Sequence, residues 1–483
     1  MISAVLFSIY AVAIAVGGVV VWRHPLWSIY TFLVGLPLHN AVLAALYSAG
    51  LHGGWLTAVQ AWKEILLAVA LARVGYDSLR SRRIPYRPSL VEWLALSFAG
   101  LCVVYALLPQ EALGGRASAN TVALALRHNL LPVGAFLLYR ALRASQIDLR
   151  RISWTAIASA ACVAVVGLLD VYLVSIEWWR TNGVIAYFHD QLGYDYHGTG
   201  HNPAVAGLPE NFIYNTGSEE EFLRRLVSTF LSPLGSAYLI TAALLIAPYR
   251  SRLAIVLAAT AFAGLLFTFS RSSLLALAIG LVVWGLVRRR IEPALAAVAV
   301  LAISVGWAAA FPHVGPVGHW TKADLVYQRQ HAAATGAGSG SALSPDEPSI
   351  SSHWTSLKEG AETVLRHPQG YGLGNAGQAA ARTGTPIKAG ESNYIELGAE
   401  MGVLGTLLFV AWSLSILVAL WRASAARMAA AFAAVLALAV QTDVFGDPWT
   451  AFSIWGLAGL VLSNQCFELP AARSDHCPAR GPV

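Results

Sequence analysis

Charged side chains are scarce in this chain. Asp, Glu, Lys and Arg make up 12% of its 483 residues, about half the usual share of a soluble domain. So little charge excludes an ordinary water-soluble fold, and no stretch reads as a separate soluble domain or an internal repeat. Cysteine is scarce too, with only four residues. Cys102 and Cys162 lie inside apolar runs, and Cys466 and Cys477 lie in or near the C-terminal tail. Without a CxxC pair or a His/Cys cluster, neither a disulfide framework nor a metal site is expected. The net charge of +6 is spread over short loops, so the basic residues form no nucleic-acid-binding patch. What the chain has in quantity is hydrophobic residues, at 57%, and sixteen tryptophans. That composition suits a bilayer protein with an interfacial aromatic belt.

A membrane span needs about 20 apolar residues. Thirteen segments read as spans: 2–22, 26–48, 58–75, 91–108, 120–139, 154–176, 231–248, 253–270, 272–287, 293–311, 393–420, 428–443 and 449–464. The first has no basic flank or small-residue cleavage site and reads as a retained span. The arginine-rich connections at 79–87, 140–151, 249–252, 288–290 and 421–427 all fall on one side if the spans alternate. The positive-inside rule makes that side the cytoplasm, with the N-terminus outside and the C-terminus inside. The expected fold is an all-α polytopic transmembrane helix bundle of about 12–13 spans, one integral membrane domain over 1–483. Two long loops then lie outside: 177–230, rich in aromatics, and 312–392. In the second, a flexible GAGSGSALSPDEPS stretch precedes an amphipathic helix expected over 353–366 and capped by Ser352. That helix is either a lid over the bundle or a simple packing element. Residues 465–483 read as a short cytoplasmic tail.

The ionisable residues inside the spans are uneven in depth. Lys63, Glu64, Arg127, Asp170, Glu396, Glu400 and Asp443 all fall in the outer half of the bilayer, and only His39 sits nearer its middle. A transporter needs polar groups at the midplane with access from both sides; an enzyme working at the outer face needs this arrangement. Lys63 and Glu64 also read as a simple pair, Asp170 as a counter-ion for Arg127, and Glu396 and Glu400 as acids at a helix start. Arg225 opens a span in RRLVSTFLSPLGSAYL, where an interfacial anchor is the plainer role. Arg271 is harder to explain structurally, because it sits in a tight outer hairpin, LLFTFSRSSLLALAIGLVVW, against the positive-inside trend. A charge at bilayer depth costs roughly 3 kcal/mol or more, and a guanidinium fork suits phosphate. The pair therefore points to a lipid-phosphate substrate.

Three segments resemble the bacterial O-antigen ligase and O-antigen polymerase family. RLVSTFLSPLGSAYL is similar to that family's arginine-bearing entrance to a span, which places Arg225. TFSRSSLLALAIGLVVW is similar to its second arginine motif, which places Arg271. HPQGYGLGN followed by ESNYIELGAEMGVLGTLLF is similar to its final paired motif. The three occur in order between residues 225 and about 410. Ligases of the family carry a histidine before the asparagine of the last motif, where this chain has Ser392; that departure favours a polymerase.

The resemblance implies a glycosyltransferase at the outer face of the cytoplasmic membrane. It would polymerise polyprenyl-diphosphate-linked oligosaccharide repeats. Transfer of the glycan to a lipid A core is the alternative within the family, and a transporter or flippase for the lipid-linked glycan the alternative of another class. Implied partners are the lipid-linked oligosaccharide, a glycan acceptor, membrane lipid, a chain-length regulator and a flippase. No cofactor or metal is expected, because Arg225 and Arg271 would stabilise the diphosphate leaving group themselves. Glu391 is the first candidate for the base and His367 the second, with His319 and His353 in less patterned sequence. Arg127, Arg224, Asn393 and Tyr394 are expected to bind substrate. The aromatics of 177–214 serve either sugar stacking or interfacial anchoring.

Overall fold

The structure is a computed structural model that describes residues 2–86, 88–193, 208, 211–215, 221–319, 322, 325–326 and 348–463. The expected tail at 465–483, the central parts of both long loops, and Tyr194 and Tyr196 lie outside the described residues. In chain order the helices are α1 (Ile2–Arg23), α2 (Trp27–Ser48), α3 (Gly53–Gln60), α4 (Trp62–Ser81), α5 (Leu90–Leu107), α6 (Ala119–Ala141), α7 (Gln146–Leu173), α8 (Ile176–Thr181), α9 (Val184–Ala186), α10 (Pro233–Ile246), α11 (Arg252–Thr268), α12 (Arg271–Arg288) and α13 (Glu292–Val314). They continue with α14 (Pro348–Arg366), α15 (Gly377–Arg382), α16 (Asn393–Arg422), α17 (Ala426–Leu438) and α18 (Pro448–Ser463).

Eight described helices are long and apolar enough to cross a membrane, and α3 with α4, bent by 44°, makes a ninth when taken as one span. The shorter apolar helices are α10, α11, α17 and α18. Every expected span falls on one of these helices or on the bent pair. The protein is an all-α, multi-pass membrane protein. The short helices α10, α17 and α18 are the core, with nearly every side chain buried. Protein rather than lipid surrounds them, so they need not match the bilayer thickness. By contrast α1 and α13 bury few side chains. Close approach within the core depends on small residues: a Cβ at Gly459 of α18 would lie 2.4 Å from the Phe136 carbonyl of α6. Trp412, Trp455, Phe409 and Phe136 fill the space around that contact.

Local signals set the helix starts. Ser89 with Glu92 and Ser145 with Asp148 form capping boxes that open α5 and α7, satisfying amides that would otherwise be unpaired. Glu92 also accepts from Arg140 Nε at 2.7 Å, tying α5 to the end of α6.

Three features depart from expectation. The segment 177–230 contains α8, α9 and strands β1 (Ile213–Asn215) and β2 (Glu221–Arg224); with β3 (Val317–His319) they form an antiparallel sheet in the order β1-β2-β3. The amphipathic helix begins at Pro348, a turn earlier than expected. It packs on the first half of α16, Gly360 against Ile395 and Val364 against Gly398. Finally, α16 is broken at Gly402, whose φ of 70° and ψ of −175° are not helical.

Candidate functional site

A cavity of about 590 Å³ opens between α2, the α3–α4 bend, α6, α10, α15, the segment 187–193 and the loop before α18. Its lining combines aromatics (Tyr187, Phe188, Phe230, Tyr238, Phe445) with amides (Asn40, Gln60, Asn120, Gln378) and the charged groups Lys63, Arg127, Arg382, Asp190, Asp443 and Asp447. The volume lies in the range of small-molecule sites. Aromatic faces and amides together suit a sugar, whose ring presents C–H groups on its faces and hydroxyls at its edge.

One wall is a cationic cluster. Lys63 is buried, lies 3.5 Å from Glu64 Oε1 and donates to the Gln60 carbonyl. Arg127 Nε lies 3.7 Å from the same Glu64 oxygen. Both His39 nitrogens are engaged: Trp62 Nε1–H donates to Nδ1 at 2.9 Å, and Lys63 Nζ lies 3.3 Å from Nε2. The Lys63–Glu64 pair read from the sequence is thus present. The expected pairing of Asp170 with Arg127 is corrected: Asp170 lies 3.4 Å from Arg224 and accepts from Trp179 Nε1, while Arg127 turns to Glu64.

The opposite charge sits in the α17–α18 connection. His128 Nε2–H donates to Asp443 Oδ1 at 3.1 Å, and the same oxygen accepts from the Phe445 and Gly446 amides. Asn393 shapes this turn: its Oδ1 accepts from the amides of Val444 at 2.6 Å and Phe445 at 3.2 Å. Ser392 Oγ donates to the Ala439 carbonyl and Tyr394 OH to that of Leu436. Asp447 caps α18 by accepting from Thr450. Burial pushes its carboxyl up to about 6, against those hydrogen bonds. At the cavity rim His189 and Tyr47 donate to Asp190 and hold its carboxyl below the usual value.

The residues singled out from the sequence divide into groups. Arg127 lines the cavity. Arg225 Nε donates to the Thr268 carbonyl at 2.9 Å, at the end of α11, and so reaches the hairpin from which Arg271 opens α12. Neither arginine lines the cavity, but the wall begins at Phe230, just beyond Arg225. Arg224, expected to bind substrate, is buried between Asp170, the Val174 carbonyl and the Phe212 ring. Asn393 and Tyr394, also expected to bind substrate, hydrogen-bond the backbone of Val444, Phe445 and Leu436. Glu391 is 42% exposed and bonds His353 at 2.7 Å, away from the cavity lining. His367 stacks on Tyr371 with ring centroids 4.0 Å apart and lies 2.9 Å from the Leu113 carbonyl. His319 is on β3 beside Glu221. Sequence reasoning passed over Arg382 and the pairing of His128 with Asp443, because residues 128 and 443 are brought together only by the packing of α6 against the α17–α18 connection.

The family model described as O-Antigen ligase matches residues 254–410. Over that stretch the chain is similar to the O-antigen ligase/polymerase family. The match runs from α11 into α16, so it contains Arg271 and both halves of the final motif, while Arg225, His128 and Asp443 lie outside it. The matching family is one of glycosyl-transfer enzymes of polysaccharide assembly that act on lipid-linked glycans. No curated protein matches the chain. Among the described residues no group of three or more His, Cys, Asp and Glu is arranged to hold a metal ion.

Proposed function

We propose that the protein transfers a glycan from a polyprenyl diphosphate to an acceptor hydroxyl at the outer face of the cytoplasmic membrane, extending a polysaccharide by lipid-linked repeats. The observation that carries this reading is the 590 Å³ cavity, in which sugar-binding chemistry and cations share one wall system. Breaking the anomeric bond leaves a diphosphate that gains negative charge. Arg225 and Arg271, brought to one hairpin, supply fixed positive charge for it, and Arg127 and Arg382 supply it inside the cavity. Preorganised cations stabilise such a leaving group without a metal. Helix α10 connects the two regions: Tyr238 faces the cavity, and Thr241 Oγ1 donates to the Ser273 carbonyl of α12.

Polymerisation is preferred because Ser392 stands in the last motif and is spent on the Ala439 carbonyl. Ligation is the second reading, favoured by the description of the matching family model. Purified protein offered lipid-linked repeats and a lipid A core separates them. A ladder on the repeats alone is expected. A single block transferred to the core contradicts polymerisation, and no transfer to either contradicts the glycosyltransferase reading.

A further inference from the structure

We infer that His128 is the catalytic base that takes the proton of the acceptor hydroxyl, with Asp443 as the residue that positions it. This rests on the transfer reading above. Of the cavity's basic groups, His39 has both ring nitrogens engaged by Trp62 and Lys63. Lys63 is held by Glu64 and the Gln60 carbonyl. The acid and imidazole of the outer motifs, Glu391 and His367, are outside the lining.

His128 differs from all of these. It lines the cavity, with about a fifth of its side chain exposed (21%), while its partner Asp443 is buried. Its Nε2 is fixed on Asp443 Oδ1 at 3.1 Å, and no described residue bonds its Nδ1. A carboxylate that receives the proton-bearing nitrogen fixes the tautomer and leaves a lone pair on the other nitrogen. Asp443 is itself immobilised: two backbone amides hold Oδ1, and Asn393 holds the turn that supplies them. A carboxylate, an oriented imidazole and a cavity of sugar size thus stand in series. No other imidazole among the described residues has this combination.

The step balances. Nδ1 accepts the acceptor's hydroxyl proton as that oxygen bonds the anomeric carbon. The bond from that carbon to the diphosphate oxygen breaks, and its electron pair leaves with the polyprenyl diphosphate. The proton stays on the imidazolium, whose charge Asp443 balances, until it passes to water or to the released diphosphate.

The test uses the purified full chain in lipid nanodiscs, with polyprenyl-diphosphate-linked repeats as donor and acceptor. His128→Gln keeps a donor toward Asp443 and removes the base. It is expected to lower kcat about 100-fold to 10,000-fold, the usual contribution of a general base, while donor KM stays within about threefold. His128→Ala is expected to regain part of its rate with added imidazole, which a purely structural role would not allow. A His128→Gln protein with wild-type melting temperature and wild-type kcat overturns the inference alone. If the variants do not fold, diethylpyrocarbonate is applied to the wild-type protein and the modified site is read by mass spectrometry. Loss of transfer in step with labelling of His128 is then expected, and full kcat with His128 labelled overturns the inference. Wild-type protein that transfers no glycan to any acceptor overturns the transfer reading and this inference together.

Discussion

Arg225 and Arg271 reach one hairpin by different routes, one from the end of a strand and one as the first residue of a helix. If they hold the diphosphate, each contributes a charge-assisted contact that strengthens as the anomeric bond breaks. Arg225→Ala and Arg271→Lys are each expected to slow transfer about 30-fold to 1,000-fold, equivalent to about 2–4 kcal/mol of transition-state stabilisation. Chain-length ladders at equal expression check this, and normal ladders would make both arginines anchors. Asp447 gives a second expectation. Its folded carboxyl value of about 6 lies above the ordinary 3.8, so the folded state holds a proton that the unfolded chain has released. The associated stability is fully present below about pH 4 and is lost as pH rises to about 6. Asp447→Asn removes this titration and keeps the cap. The melting temperature of the wild type relative to that variant should therefore fall between about pH 4 and pH 6 and level off above. A flat difference across that window would contradict it. The arginines were legible in the sequence because a charge between two apolar runs is costly wherever it stands. Arg224 was not distinguishable from Arg225 there: alternation along a short strand sends one side chain into an ion pair with Asp170 and the other to the hairpin.

At the scale of elements, the turn HPQGYGLGN fits into a break in α16. Val403 N donates to the Pro368 carbonyl, Tyr371 N to that of Ala399 and Gly372 N to that of Glu400. A Cβ at Gly402 would lie 2.2 Å from the Pro368 oxygen, and its φ of 70° with ψ of −175° is a conformation open in practice only to glycine. Gly402→Ala should therefore cost about 1–3 kcal/mol, seen as a lower melting temperature, and should weaken transfer by displacing α16 from the turn that carries Asp443. An unchanged melting temperature would mean that the break is not required. The motif could be read as a pattern, but its purpose could not: spacing suggests a helix stop followed by a new span, whereas the backbone of the first segment completes the second. The small sheet was hidden for a related reason. Its strands are three or four residues long and lie far apart in sequence, too short for any alternation to register.

The whole molecule is a membrane bundle whose short apolar helices α10, α17 and α18 form its buried core. Long apolar runs made the spans legible, because the requirement to pair every backbone group in lipid leaves few alternatives to helix. The cavity was not legible, since its walls come from distant parts of the chain. Arg127, His128 and Asp443 meet in it only through the packing of α6 against the α17–α18 connection. The most direct test measures polyprenyl diphosphate released per glycosidic bond formed by the purified protein, reconstituted in sealed vesicles of known orientation with EDTA present. The account predicts one diphosphate released for each bond, with substrate supplied at the face bearing the α11–α12 hairpin and no dependence on added magnesium or manganese. Movement of intact lipid-linked glycan across the bilayer without bond formation, or transfer abolished by EDTA and restored by a divalent cation, would contradict it.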